Sequence, residues 1–344
     1  MGNPIQTKPL RVGVIGVGAC TDQIIRAYDQ VADAAVTAVA ADDLAAAQAV
    51  AAACRVAGVF ADYREMLTAG AVDAVEVHAA AGRHREIAAA VCQKGLPLAI
   101  HKPLAATGEE ARAIVADVRR AGVAALVLDP LLFHPLVREA KALLADERIG
   151  EVQMLRLKSH AGRDERGEAC DPAVFADPAH NPLILPAFDK AALAEYLLGP
   201  IAEVFAYAGP ASRMVSFKFT AAGCYGFHEA VCSPGLAVQS VVMPVDHSLE
   251  ITGTDGILWV RNLTGLMVEA PRLMLKRKCQ TTVWDDRVEY EMPAVLAQMR
   301  AHFVAVARGR EKPGHTLEQA ARALAVNEAV ADSVRAARPI RLSD

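Results

Sequence analysis

At 344 residues the chain is too long for one ordinary hydrophobic core, so two domains are expected. With 53% hydrophobic and 22% charged residues it is not a disordered chain, and a net charge of -4 with scattered Lys and Arg excludes the basic face that nucleic acid requires. Seven cysteines, an odd number without a CxxC spacing, argue against a disulfide framework or a zinc site and for reduced thiols in the cytoplasm, and no apolar run is long enough to span a bilayer.

The stretch Lys8 to Cys20 imitates a secretory leader, a basic residue followed by a short apolar run. The same residues make a strand and a glycine turn, and the alternation of elements beyond Cys20 supports that reading. Gln6 stands where N-myristoylation would need Ser or Thr. Leu10 to Val17 predicts a buried strand, Thr21 to Ala32 a helix, Val36 to Ala40 a strand and Leu44 to Cys54 a helix. Then come strand Val59 to Phe60, helix Tyr63 to Ala69 and strand Ala74 to Val77. Helix Arg83 to Lys94 closes at Gly95, strand Leu98 to Ile100 is next, helix Glu109 to Ala121 closes at Gly122, and Ala124 to Leu128 is a sixth strand. Such alternation predicts a doubly wound parallel sheet, a Rossmann domain over residues 1–129.

After Asp129-Pro130 the rhythm changes, and 130–344 predicts an α/β domain on a large, mainly antiparallel open sheet. Helix Pro135 to Ala145 precedes Glu151 to His160, which alternates like a strand. Ala161 to Pro182 has no periodicity and is either disordered or functional. Helix Asp189 to Leu198 ends at Gly199-Pro200. Ile201 to Tyr290 is strands and turns, with turn signals at Gly209-Pro210, Ser233-Pro234-Gly235 and Asp255-Gly256. Helices Leu296 to Ala307 and Leu317 to Ala336 close the chain, the last able to pack back near the N-terminal domain. Apolar strands at Met214 to Phe219 and Leu236 to Met243 give the sheet a face that one helix layer cannot cover, so a homo-oligomer, dimer or tetramer, is expected.

Gly16 and Gly18, with Ala19 and Cys20, lie directly between the first strand and the first helix. Gly16 permits the tight turn, and Gly18 lets the backbone approach a pyrophosphate at the helix start. Thr21 replaces the third glycine of the dinucleotide fingerprint. Asp42, at the end of the second strand, suits the adenosine ribose of NAD and repels a 2′-phosphate. No Lys or Arg is near to bind that phosphate, so NAD is expected and NADP is the second choice. The plainer alternative is that Asp42 and Asp43 cap the helix at Leu44.

These features, in order along the chain, resemble the Gfo/Idh/MocA family of nicotinamide-dependent oxidoreductases. The resemblance covers the glycine turn, Asp73-Ala74-Val75 running to His84, and His101-Lys102-Pro103 in place of the family's Glu-Lys-Pro. It continues through Phe133-His134-Pro135, Leu197-Leu198-Gly199-Pro200 and Leu249 to Gly256. It implies cofactor contacts from His78, His84, His101 and Lys102, with Lys102 beside the nicotinamide and substrate. A lysine there can stabilise a developing alkoxide or relay a proton. The plainer alternatives are a solvated Lys102 and a His101 bonded to backbone. The family's catalytic Asp and His are missing: counting back from Gly199 puts Leu185 and Asp189 in their places. Asp189 is a candidate base if burial raises its pKa and Lys190 does not oppose it; otherwise it caps its helix. His180, or His160, could supply the proton instead. Leu131 and Leu132 make the substrate pocket less polar than a sugar dehydrogenase's.

Two functions are compatible with these residues. The first is hydride transfer between NAD(P) and a carbon bearing a hydroxyl, carbonyl or imine on a small cyclic substrate: a sugar, an inositol or a dihydrodiol. The second is NAD binding without net redox turnover, in a transient-redox lyase or hydrolase or a sensor, which loss of the Asp/His pair favours. Neither needs a metal, a membrane or nucleic acid.

Overall fold

The computed structural model describes residues 8–18, 20–163, 184, 185, 188–221, 223–239, 245–267, 269–284 and 292–342. The chain forms two compact units, Met1–Pro130 with Glu291–Leu324, and Leu131–Tyr290 with Ala325–Asp344.

The first unit is built on six strands: β1 (Leu10–Ile15), β2 (Ala34–Ala40), β3 (Gly58–Phe60), β4 (Ala74–Val77), β5 (Leu98–His101) and β6 (Ala125–Leu128). They form one parallel sheet in the order β3-β2-β1-β4-β5-β6. The order reverses between β1 and β4, which opens a crevice at their carboxyl ends, the place where such sheets bind ligands. The strands are short, apolar and buried; Val12, Val14, Val75, Leu98 and Leu126 have no exposure. That is the pattern of a sheet covered on both faces. Between them run α1 (Thr21–Ala27), α2 (Leu44–Cys54), α3 (Tyr63–Thr68), α4 (His84–Gln93) and α5 (Gly108–Ala121). Local chemistry sets their ends. The Asp43 side chain accepts from Ala46 N at 3.0 Å, Thr107 accepts from Glu110 N, and Gly122 closes α5 in the left-handed conformation at φ 65°.

One helix stops short of its sequence-based expectation. Instead of reaching Ala32, α1 ends at Ala27 and tightens into a 3-10 turn, Tyr28–Gln30. The cause is Tyr28, which is buried and donates its hydroxyl to Glu76 at 2.6 Å. A later helix, α9 (Met292–Ala307), packs against α1 and β6.

The second unit holds a nine-stranded sheet. Its strands are β7 (Val152–Arg163), β10 (Ile201–Ala208), β11 (Ser212–Phe219), β12 (Tyr225–Ala237), β13 (Val245–Gly253), β14 (Gly256–Val260), β15 (Leu273–Arg277), β16 (Gln280–Val283) and β17 (Ile340–Arg341). β7 is central, parallel to β12 and antiparallel to β13; every other pairing is antiparallel. A small ribbon, β8 (Ile184–Leu185) and β9 (Phe188–Asp189), leads into α8 (Lys190–Leu198). The unit also contains α7 (Pro135–Ala145), which comes after the short α6 (Pro130–Phe133), and most of α10 (Leu317–Ala336).

Strand alternation sorts this sheet into two faces. Along β7, Leu155, Leu157, Ser159 and Ala161 are buried, while Met154, Arg156, Lys158 and His160 point the other way. That second face exposes Met154, Tyr207, Met214 and Tyr225 and carries a shallow cleft of about 520 Å³ lined by Met154, Phe205, Met214, Tyr225 and Phe227 among others. Met214 and Phe219 of the expected apolar strand thus lie on opposite faces. Residues 240–243 of the other lie outside the described residues.

The cysteine expectation is corrected at one position. Cys232, buried on β12, is disulfide-bonded, whereas Cys20, Cys54, Cys92, Cys224 and Cys279 are free thiols. No helix among the described residues is long and apolar enough to cross a membrane.

Both units bury histidines in the neutral form. Burial, with the positive charge of Arg272, pushes His134 down to about 4; burial and Lys190 push His228 down to about 3. Burial also brings His315 down to about 4. Between those values and the ordinary histidine pKa of about 6.5, the unfolded chain binds more protons than the folded one, so stability rises with pH there. Asp246 works in the opposite sense, because burial raises it to about 6, but it is one group against three. The melting temperature is therefore expected to climb by several degrees between pH 5 and pH 7.5. Calorimetric melts across that range check this, and a flat or falling curve would mean these imidazoles are not held neutral.

Candidate functional site

At the carboxyl ends of β1, β2 and β4 lies a cleft of about 230 Å³, lined by Gly16, Val17, Ala41, Asp42, Asp43, Tyr63, His78, Ala79 and Arg83 among others. Its floor is the glycine turn. Gly16 has φ +99°, and a Cβ there would lie 2.5 Å from Ala79 N, so both conformation and space demand glycine. A Cβ on Gly18 would meet nothing within 4 Å, which leaves open room over the turn. Thr21 is buried, and its hydroxyl accepts from the Gly18 amide at 2.8 Å. The residue that breaks the glycine fingerprint therefore ties the turn to the helix. Cys20 is exposed at the head of α1, and Ala19 lies outside the described residues.

Asp42 and Asp43 both line the cleft, and the Asp43 side chain also caps α2. The expectation that no basic residue stands nearby is corrected. Arg83, distant in sequence, forms an ion pair with Asp42. The chain before α4 carries it there. Its fork also reaches Glu86, with Nε 2.9 Å from Oε1.

The inner end of the cleft is a buried charge network. Glu76 on β4 has no exposure. It accepts from Arg300 Nη2 at 2.5 Å, from His78 Nε2 at 2.5 Å and from Tyr28 Oη at 2.6 Å. Burial alone would raise its pKa, but Arg300, His78 and Tyr28 outweigh burial and hold it well below the usual carboxylate range. His78 faces His101 with ring centroids 4.8 Å apart. Burial, then the neighbouring positive charges, pushes His101 well below the ordinary histidine value, so it is a neutral group. His84 sits inside the wall: its Nε2 is 2.8 Å from Ala79 O and its Nδ1 3.1 Å from Leu104 O, so its ring hydrogen is used on backbone.

Lys102 comes directly after His101 at the end of β5 and precedes Pro103 through a cis peptide. It is not a solvated side chain, being only 7% exposed. Its Nζ lies 3.5 Å from Oδ2 of Asp129, a residue with no exposure at the end of β6, the neighbouring strand. His315 is buried close enough for both charges to act on it, and its carbonyl accepts from Val127 N at 3.0 Å. Lys102, Asp129 and His315 thus gather at the carboxyl ends of β5 and β6.

Asp129 and Glu76 carried signals that the elements alone did not use: one is an acid directly after a strand, the other an acid inside an apolar strand. Arg300, His315 and Arg83 had none, because only the fold brings them there.

In the second unit, Asp189 is the last residue of β9 and directly precedes α8. Lys190 beside it is buried, and its charge acts on His228 and Asp246. Ser159, His228 and His247 form a buried chain, with Ser159 Oγ 2.8 Å from His228 Nε2 and 3.0 Å from His247 Nδ1. His160 lies half-buried on the other face of the sheet, Leu131 and Leu132 are core residues, and His180 lies outside the described residues. Among the described residues no cluster suited to a metal ion occurs.

Residues 10–128 match the sequence profile of an oxidoreductase family with an NAD-binding Rossmann fold, Gfo/Idh/MocA. The chain thus resembles that family over its first unit. It is 33% identical over 159 residues to inositol 2-dehydrogenase 1 of Saccharopolyspora erythraea, a match covering 39% of this chain and 47% of that protein. It is 28% identical over 143 residues to D-apiose dehydrogenase of Paraburkholderia graminis, covering 42% and 38%. The matched stretches thus span less than half of these relatives' own length. Among solved structures, an oxidoreductase of Agrobacterium radiobacter determined with NAD+, L-tartaric acid and magnesium superposes with a TM-score of 0.82 at 18% identity, over 97% of this chain and 98% of that one. Levoglucosan dehydrogenase in complex with NADH gives 0.77 at 19%, over 98% and 100%. At such identity the likeness is one of fold, and it extends over both units.

Removing one partner of the buried Glu76 network leaves the other charge stranded. Arg300→Met is expected to destabilise by about 3–5 kcal/mol. Arg300→Met with Glu76→Gln is expected to recover much of that loss, because no uncompensated charge remains. Urea unfolding of the two variants separates these outcomes; equal losses would mean that the arginine matters for packing rather than for charge.

Proposed function

We propose that the protein is an NAD(P)-dependent dehydrogenase acting on a carbinol carbon of a small cyclic polyol, a sugar or an inositol. The observation that carries this reading is the buried Lys102–Asp129 pair, one residue beyond His101, whose ring faces the His78 that lines the dinucleotide cleft. The relatives' names, inositol 2-dehydrogenase and D-apiose dehydrogenase, support the substrate class.

The cleft fits a dinucleotide by its own geometry: glycine is obligatory at Gly16, the space over Gly18 is open, and Asp42 stands where an adenosine ribose hydroxyl would be met. Gly16, Gly18, Cys20 and Asp42 would hold the adenosine and pyrophosphate half, with His78, His101 and Lys102 toward the reactive half. When bound, the nicotinamide supplies the acceptor or donor for the hydride. The chain's own residues handle the remaining charge. Lys102 stabilises the oxygen of the reacting carbon as it gains negative charge, and Asp129 holds the ammonium in place. Neutral His101 and His315 adjoin this pair without adding a second positive charge to it. Asp189, before α8, or His180 is the base that takes the hydroxyl proton. Homo-oligomerisation through the exposed sheet face of the second unit, with its Met154, Met214 and Tyr225, completes the reading.

Calorimetry with NAD+ tests the cofactor half. Gly18→Val is expected to weaken binding about ten- to a hundredfold, because its side chain occupies the open room over the turn. Turnover on a panel of inositols and aldoses tests the rest. Lys102→Met is expected to lower the rate by roughly a hundredfold or more with little change in NAD+ affinity. Asp189→Asn lowers it comparably if Asp189 is the base, and full activity there with loss in His180→Ala moves the base to His180. A wild-type chain that binds NAD+ and reduces none of it with any cyclic polyol would overturn the substrate class. A monomer by light scattering at micromolar concentration would overturn the oligomer.

A further inference from the structure

The rim of the dinucleotide cleft holds an arrangement that neither the fold nor the glycine turn requires. Asp42 is an exposed acid on the cleft wall, and Arg83, which also lines the cleft, reaches across from the segment before α4 to pair with it. The guanidinium has two holders. Nη1 is on Asp42, while Nε and Nη2 lie 2.9 and 2.8 Å from Glu86 Oε1 on α4. Behind it, the ring of Tyr63 lies 6.0 Å from the Arg83 guanidinium carbon and 4.5 Å from that of Arg64. Glu86 therefore anchors one edge of the Arg83 fork, and the other edge, turned toward the cleft, is held by Asp42.

Two demands meet at this point. An acid accepts from a ribose 2′-hydroxyl and repels a 2′-phosphate, whereas an arginine fork is the side chain best matched to a phosphate. Here both are present and each masks the other. We propose that the Asp42–Arg83 pair selects the cofactor: with Asp42 in place Arg83 is a masked phosphate ligand and the rim takes NAD, and loss of that one carboxylate converts the rim into a site for NADP. This selection rests on the cleft being a dinucleotide site. It makes Arg83 a specificity-determining residue that the order of the chain does not reveal.

The mechanism separates two sources of discrimination, repulsion by Asp42 and attraction by Arg83. Removing Asp42 abolishes the first and releases the second. A charge-assisted contact to phosphate is among the strong hydrogen bonds, but on an exposed rim it is screened by salt. Asp42 and Arg83 are both on the surface, so substitutions there are expected to leave the fold intact, which thermal melts of each variant verify.

The experiment is calorimetric titration with NAD+, NADP+ and 2′,5′-ADP. The wild-type chain is expected to bind NAD+ at least about tenfold tighter than NADP+. In Asp42→Ser the order reverses, NADP+ and 2′,5′-ADP gaining roughly ten- to a hundredfold. That gain is expected to shrink in high salt. In Asp42→Ser/Arg83→Ala most of the gain disappears. If the double variant keeps the gain, discrimination is repulsion by Asp42 alone and Arg83 has no part in it. If Asp42→Ser gains nothing while NAD+ still binds, the inference fails and the dinucleotide reading stands. If the folded wild-type chain binds none of the three probes, both fail.

Discussion

A carboxylate with no exposure in the middle of a parallel sheet is the constraint on which the first unit turns. Glu76 sits on β4, beside the reversal of strand order that opens the cleft. An ion of that kind is tolerated only when its oxygens are satisfied and its charge is matched. Three elements answer that demand. The 3-10 turn after α1 brings Tyr28, the end of β4 brings His78, and α9, more than two hundred residues further on, brings Arg300. The late helix is thus required by an early strand, and the return of residues 291–324 to this unit has a chemical reason. The same network fixes His78, and through it the neutral ring of His101 and the approach to Lys102.

The sequence made much of this legible because the elements are locally determined. Helices α2 and α7 and strand β4 fall at their expected residues, since their ends are set by Asp43, His134 and the apolar run Ala74 to Val77. Periodicity is a local signal, and so is the glycine turn. What was hidden is long-range. Tyr28 reads as one more helical residue until Glu76 is placed beneath it. Asp129 reads as the end of a domain until β5 lays Lys102 against it. Arg83 reads as the opening of a helix, and proximity in the chain says nothing of its pairing with Asp42, 41 residues away. The disulfide of Cys232 escaped for the same reason, because a cysteine count carries no distances. The family resemblance supplied Lys102 and the expectation of a base at the start of α8, where the sequence has Asp189 in the histidine's place.

The second unit meets the burial of polar groups differently. Its sheet interior contains Ser159, His228 and His247 in a chain of hydrogen bonds, and burial, with Lys190 nearby, keeps His228 uncharged. The Glu76 network buries charge and matches it, whereas the Ser159 chain buries groups that can be neutral. Acid weakens both, by different routes: protonating Glu76 removes a charge from an organised network, while protonating His228 adds a positive charge near Lys190.

Thr21 occupies the place of the third glycine and ties its hydroxyl to the Gly18 amide. A glycine-rich turn is ordinarily the most mobile part of such a fold, and a ligand must freeze it. Here the bond between Gly18 and Thr21 does part of that ordering when the chain folds, and the entropy of that part is charged to folding. One backbone donor is committed to the protein in exchange, so recognition leans more on shape than on the number of amides offered.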